Sequence, residues 1–243
     1  MERSPLTPRP LVYAHRGDRS RAADNTIEAF DLAVEAGADG IELDVRRTID
    51  GVLIVSHDPS IGDLEPFHTI AFERLRESRP DVPTLEEALR HIPRHVFLNV
   101  EVKHDLLEPD PDEERTVAAE TVALIETIDD PDRILLSSFD ASSVETFGAA
   151  SPGMLRGQLV AGGIDFSTAV TLAQDVGADA VHPPWDMIAK DTPSLVRSSH
   201  GAGIAVVVWN ANTVDQVEAA VSAEDDVIIT DDPGMARAVV DQR

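Results

Sequence analysis

Residues 38–58 read ADGIELDVRRTIDGVLIVSHD. Within them, residues 40–45 alternate as a short buried strand does: Ile41, Leu43 and Val45 are apolar, and Glu42 and Asp44 stand between them. Side chains two apart on a strand point to the same side, so the two carboxylates face one way together. Neighbouring carboxylates without partners repel and are costly to bury, and a hard divalent cation with oxygen ligands relieves both problems. A second apolar strand over residues 52–56 runs into His57 and Asp58, which brings an imidazole close to the pair. The stretch reads as half of a phosphoester-cleaving site.

The flanking chain repeats one pattern. Residues 11–15 (LVYAH) form a strand that enters Arg16-Gly17, and residues 27–37 an amphipathic helix stopped by Gly37. A loop region follows His57-Asp58 as far as Pro83, and a helix then starts at Thr84, where Thr84 and Glu87 make a capping pattern. Further strands are expected at residues 95–103, 134–138, 154–160, 178–182, 204–209 and 227–230. Helices are expected at 113–128, 141–150, 166–177, 192–200, 213–221 and 233–240. Short apolar strands alternating with helices require a parallel sheet covered by helices. About eight such units in 243 residues favour a single closed (β/α)8 TIM barrel over an open α/β sheet, with a short loop excursion after the His57-Asp58 segment. No G-x-G-x-x-G or P-loop follows any strand. Residues 1–10 read as a flexible lead-in and residues 11–243 as the barrel domain.

Composition narrows the partners. The formal charge is −25, from 45 acidic residues against 18 Arg and two Lys, Lys103 and Lys190. Such a surface repels nucleic acid and anionic membranes, so neither nucleic-acid binding nor stable membrane association is expected. A Lys-poor, Asp-rich surface suits concentrated salt, which screens self-repulsion. With no apolar run of membrane-spanning length and no apolar core of a secretory signal, the expectation is a soluble cytoplasmic protein. No cysteine is present, which excludes disulfides and thiolate metal sites. Composition leaves the oligomeric state open.

Polar residues collect at the C-terminal ends of the expected strands: His15 and Arg16, Glu42 and Asp44, His57, Glu101 and Lys103, Ser138, His182, Trp209-Asn210 and Thr230-Asp231. In a barrel those ends form one rim, where active sites of this fold sit. Glu42, Asp44 and Glu101 can supply oxygen ligands to Mg²⁺ or Ca²⁺, with Mn²⁺ also accommodated. Arg16 and Lys103 add positive charge toward a phosphate, and His15 and His57 titrate near neutrality and can exchange protons. Together they describe metal-assisted phosphodiester cleavage. Singly, each has a bland reading: Lys103 can merely pair with Glu101, Trp209 can be core, and Asn25-Thr26 can be a helix-start device. His91, His95, His104 and His200 are expected to be structural, and His68 and His182 mostly so.

The motifs His15-Arg16-Gly17, Asn25-Thr26, Glu42-Leu43-Asp44, Thr48-x-Asp50-Gly51, His57-Asp58, Glu101-x-Lys103, Ser138-Phe139, Trp209-Asn210 and Thr230-Asp231-Asp232-Pro233 resemble, in order and over nearly the whole chain, the glycerophosphodiester phosphodiesterase family. The resemblance implies a (β/α)8 barrel hydrolysing a small-molecule glycerophosphodiester to sn-glycerol 3-phosphate and an alcohol. In it Glu42, Asp44 and Glu101 hold one divalent ion, His15 and His57 are acid and base, Arg16 and Lys103 contact the phosphate, and Trp209 lies against the glycerol carbons. The glycerol 2-hydroxyl would be an internal nucleophile, giving a cyclic phosphate that water opens. Two departures from the family pattern are Asp24 in place of Glu and a short loop after Asp58. Rival readings are a lysophospholipase D-type enzyme, a metal-dependent barrel abstracting a proton beside a carboxylate, and a non-catalytic phosphodiester-binding barrel.

Overall fold

The computed structural model describes residues 10–104, 112, 114–128 and 131–242. Most of the expected lead-in and part of the acidic patch at 108–114 lie outside the described residues. In chain order the strands are β1 (Leu11–His15), β2 (Gly40–Arg47), β3 (Leu53–Val55), β4 (Phe97–Val102), β5 (Ile134–Ser138), β6 (Leu155–Leu159), β7 (Ala180–His182), β8 (Ala205–Val208) and β9 (Val227–Thr230). Strand β1 pairs in parallel with both β2 and β9, at Tyr13↔Gly40 and Val12↔Ile228, so the sheet closes on itself. The wall is β1-β2-β4-β5-β6-β7-β8-β9, all parallel. This is a (β/α)8 barrel.

Helices α1 (Ile27–Glu35), α2 (Phe72–Ser78), α3 (Leu85–His91), α4 (Thr116–Ile128), α5 (Ala141–Ala150), α6 (Phe166–Asp175), α7 (Trp185–Ile188), α8 (Thr192–Gly201), α9 (Val214–Ala223) and α10 (Pro233–Val240) accompany the strands. The period-2 alternation of each strand divides the core in two. Outward residues such as Ile41, Leu43, Val100, Leu136 and Val206 pack with helix residues Phe30, Leu85, Phe147 and Val217 in one large layer. Inward residues Tyr13, Ala180, Val207, Val227 and Ile229 make a smaller apolar plug inside the barrel. Helix starts follow the expected chemistry: Thr84 and Glu87 form a reciprocal capping box on α3, and the Thr26 hydroxyl accepts from the Ala29 amide on α1.

Two expectations are corrected. The apolar run at 52–56 is not a barrel strand: β3 returns antiparallel along β2, with Val45 opposite Val55 and Arg47 opposite Leu53. Strand β2 overshoots the rim, a turn at Thr48–Gly51 with Gly51 at φ +86° reverses it, and β3 carries His57 back toward Asp44. The segment after Asp58 is also more than a loop. It holds a 3-10 turn at Phe67–Thr69 and helix α2, closed over its own core of Ile54, Phe67, Ile70, Leu75 and Val82. A short apolar return strand needs a cover, and those side chains provide it.

Candidate active site

The inward face of β2 presents Glu42 and Asp44 at the rim, and β4 sets Glu101 directly opposite Asp44 in register. All three are buried, and they offer carboxylate oxygens within 4.8 Å of one another. Burial, followed by the charges of Asp44 and Glu101, pushes the Glu42 carboxyl well above the usual range. Burial likewise raises Glu101, though Lys103 opposes it. For Asp44 burial acts upward too, but Lys103 and Arg16 outweigh it and hold the group ionised, below the ordinary range. The Glu42 Oε1 atom is buried and has no hydrogen-bond partner among the described residues. An orphaned acceptor beside two further carboxylates fits a divalent cation.

Positive charge surrounds the trio. Lys103 Nζ stands 2.8 Å from Asp44 Oδ1 and pairs with Glu101. Arg16 Nε lies 3.1 Å from Asp44 Oδ2, and the Arg16 amide donates to Glu42 Oε2 at 3.0 Å. Lys103 therefore pairs with Glu101, as the bland reading has it, and bridges to Asp44 as well. Arg16 adopts φ +57° and Asn25 φ +56°, left-handed values uncommon outside glycine. Those turns aim both side chains inward: Asn25 Nδ2 donates to Asp44 Oδ2 at 2.7 Å, while its neighbour Thr26 caps α1. Both readings of Asn25-Thr26 therefore hold, one for each residue. Asp24, one methylene shorter than the family's Glu, still accepts from Arg16 Nη1 at 3.2 Å.

The two imidazoles approach from different elements. His15, at the end of β1, turns Nε2 toward Glu42 Oε2, 4.0 Å away, and its Nδ1 hydrogen-bonds Asp231 Oδ1 at 2.6 Å. Asp231 is held in turn by Arg19 Nη1 at 2.9 Å and Asn212 Nδ2 at 2.8 Å. Burial lowers the His15 ring below its ordinary value, with Asp231 opposing. His57 bonds Asp58 through Nδ1 at 2.8 Å, and Arg46 Nε grips the His57 carbonyl at 2.8 Å. Burial and then the Lys103 charge lower its ring as well. His15, Arg16, Glu42, Asp44, His57, Glu101 and Lys103 thus come together at the rim. Trp209 Nε1 donates to the His182 carbonyl at 2.8 Å and its ring lies edge-on to Phe139 at 5.9 Å, while its neighbour Asn210 places Nδ2 2.9 Å from His15 Nδ1.

The other histidines divide. His91 pairs with Asp31 and His200 with Asp226, both structural. His182 is wholly buried inside the barrel, away from any exposed substrate surface. Sequence reasoning placed Asp231 on the rim without a partner, noted Asp24 only as a departure from the family pattern, and passed over Arg19. The approach of Asp231 to His15 arises only when β9 closes on β1, whereas Arg19 and Asp24 reach His15 and Arg16 within the loop that follows β1.

Residues 15–235 match the family described as glycerophosphoryl diester phosphodiesterase. A glycerophosphodiester phosphodiesterase of Caldanaerobacter subterraneus subsp. tengcongensis is 31% identical over 239 residues, covering 92% of this chain and 94% of the relative. The chain belongs to this family. It is accordingly an enzyme of phosphodiester hydrolysis. Among solved structures, a glycerophosphodiester phosphodiesterase of Parabacteroides distasonis superposes with a TM-score of 0.84 at 24% identity, covering 97% of this chain and 98% of that one. A phosphodiesterase of Oleispira antarctica, solved with the product sn-glycerol-3-phosphate, has a TM-score of 0.79 at 22% identity, covering 96% of this chain and 97% of that one. These two likenesses support the barrel. No helix among the described residues is long and apolar enough to cross a membrane.

Proposed function

We propose that this chain, acting as one catalytic barrel, hydrolyses small-molecule glycerophosphodiesters to sn-glycerol 3-phosphate and an alcohol. The observation that carries the reading is the buried Glu42-Asp44-Glu101 trio flanked by two imidazoles and two fixed cations. The family membership and the product bound to the Oleispira relative support the same substrate class.

Glu42, Asp44 and Glu101 are the ligands of one divalent ion, Mg²⁺ or Ca²⁺, with Mn²⁺ a working substitute. Held there, a divalent ion would supply Lewis-acid stabilisation of the negative charge that grows on the phosphate. Arg16 and Lys103 orient the phosphate from the same side. One of His15 and His57 takes the proton of the glycerol 2-hydroxyl as its oxygen attacks phosphorus. The other gives a proton to the alcohol oxygen as its bond to phosphorus breaks. Water then opens the cyclic phosphate with the proton roles exchanged, which restores the 2-hydroxyl. The internal nucleophile needs no association step. Trp209, with Phe139 against it, forms the apolar wall for the glycerol carbons.

The acidic charge of −25 suits a free substrate in a salt-rich cytoplasm and disfavours anionic lipid surfaces. Phosphorus NMR of glycerophosphocholine turnover tests the bond cleaved. Glycerol 3-phosphate and free choline, with a transient cyclic phosphate, are expected; phosphocholine as product would overturn the reading.

A further inference from the structure

Beneath the carboxylate trio the barrel interior is polar. Asn99 on β4 sits beside Glu42, and Ser137 on β5 beside Glu101, in the strand register. Ser137 in turn neighbours Gly157 on β6. A Cβ at Gly157 would lie 2.1 Å from His182 Nε2, so the absent side chain there is what admits the His182 ring into the interior. All three side chains are essentially inaccessible: Asn99 is 1% exposed, Ser137 and His182 0%. Yet both amide atoms of Asn99, the Ser137 hydroxyl and both ring nitrogens of His182 lack a hydrogen-bond partner among the described residues. Apolar Tyr13, Val207 and Ile229 fill the rest of the interior.

Five buried polar atoms on neighbouring strands of one barrel interior, none paired among the described residues, cannot be dry, because each would forfeit its hydrogen bonds to solvent without replacement. Their chemistry identifies the occupant. Burial lowers the His182 ring to about 3, so it is neutral, with one donor and one acceptor nitrogen. Asn99 and Ser137 are also neutral and can both donate and accept. None of these three side chains brings a charge of its own with which to hold an ion. A small molecule that donates and accepts in several directions matches, and buried water makes about three such bonds.

We infer that Asn99, Ser137 and His182 form an internal hydration site whose water hydrogen-bonds the Glu42 and Glu101 carboxylates from below, making Asn99 and Ser137 positioning residues for them. The hydration site stands on the orphaned atoms alone; the positioning role rests on the metal reading under Proposed function. Groups behind a metal ligand set its orientation, and their loss typically costs 10–100-fold in affinity.

Oxygen-17 relaxation dispersion of metal-free protein counts long-lived internal water and tests the site directly, in the intact chain and in Asn99→Leu, Asn99→Ser and Ser137→Ala. Mn²⁺ affinity of the same proteins, by calorimetry, tests the positioning role. Asn99→Leu should lose dispersion amplitude and bind Mn²⁺ about 10-fold or more weakly, whereas Asn99→Ser should retain both. Ser137→Ala, nearly isosteric, should show a smaller loss of each and decides the matter if Asn99→Leu does not fold. Unchanged amplitude in every folded variant would overturn the hydration site. Lost amplitude with unchanged Mn²⁺ affinity would overturn the positioning role alone. Lost amplitude in a protein that binds no Mn²⁺ even unmutated would uphold the hydration site and sink the metal reading instead.

Discussion

His15 Nδ1 and Asp231 Oδ1 stand 2.6 Å apart across 216 residues of sequence, joined where the last barrel strand closes on the first. With Nδ1 protonated and donating to Asp231, the Nε2 lone pair is left facing the carboxylate trio, as proton transfer requires. Burial acts to raise Asp231, but the hydrogen bonds and charges of His15 and Arg19 together outweigh it and hold the carboxyl at about 2. Asp231→Asn should therefore lower kcat by about 10²-fold, the lower end of the range for acid–base groups, with little change in KM. Mn²⁺ affinity measured alongside should stay within about twofold. A parallel fall in metal affinity would make Asp231 part of the ion site instead.

Removing a ligand and removing a proton carrier should look different. Glu42→Ala and Glu101→Ala should weaken metal binding and activity together. His57→Ala should bind the ion normally and turn over roughly 10²–10⁴-fold more slowly. Calorimetry beside initial rates separates the two classes, and equal loss of metal affinity in all three variants would refute the division of roles.

Metal binding should also release protons. The Glu42 and Glu101 carboxyls lie above their ordinary values, chiefly through burial, and a bound cation requires both ionised. Titrations at pH 6 in buffers of different ionisation enthalpy should give heats that vary with the buffer, and affinity should rise with pH. Buffer-independent heats would mean that both groups are already ionised in the free protein.

Stability should carry the mark of His182. Burial holds its ring at about 3, against 6.5 for an ordinary imidazole. As pH falls below 6.5 the unfolded chain gains a proton that the folded chain refuses. The contribution is thus fully present above pH 6.5 and is lost at about 1.4 kcal/mol per pH unit down to about pH 3. Urea unfolding at pH 7 and pH 4.5 should show His182→Gln losing roughly 2–3 kcal/mol less than the unmodified chain. Equal losses would place a charged, paired histidine inside the barrel.

The surface charge predicts a salt response. With 45 acidic residues and 20 basic ones, self-repulsion is large in dilute buffer and screened within about 3 Å at molar salt. The thermal midpoint should rise between dilute buffer and molar KCl; an unchanged midpoint would contradict adaptation to concentrated salt.

Much of this was legible before any coordinates, because local chemistry bounds it. Strands at Ile134–Ser138 and Val227–Thr230 and the helix at Pro233–Val240 fall where they were expected, and the Thr84–Glu87 box forms as its spacing implies. Alternation at Glu42 and Asp44 correctly put both carboxylates on one face. What alternation does not encode is direction. The apolar run ending at His57 reads alike as a parallel barrel strand or as an antiparallel return, and the Asp50-Gly51 turn was the signal for the latter. Spacing of Ile54, Phe67, Ile70, Leu75 and Val82 is irregular, so their shared core appears only in three dimensions. The His15–Asp231 pair and the orphaned atoms of Asn99, Ser137 and His182 depend on closure and register, which a single chain read in order does not display.

Hydrolysis of a glycerophosphodiester at the Glu42-Asp44-Glu101 site is the activity we propose for this chain. Its most direct test is release of glycerol 3-phosphate from glycerophosphocholine and glycerophosphoethanolamine in high KCl, with Mg²⁺, Ca²⁺, Mn²⁺ or EDTA, by the unmodified chain and by His15→Ala. Metal-dependent release that EDTA and His15→Ala both abolish is the predicted result. Folded protein that binds the ion yet releases no glycerol 3-phosphate under any of these conditions would contradict it.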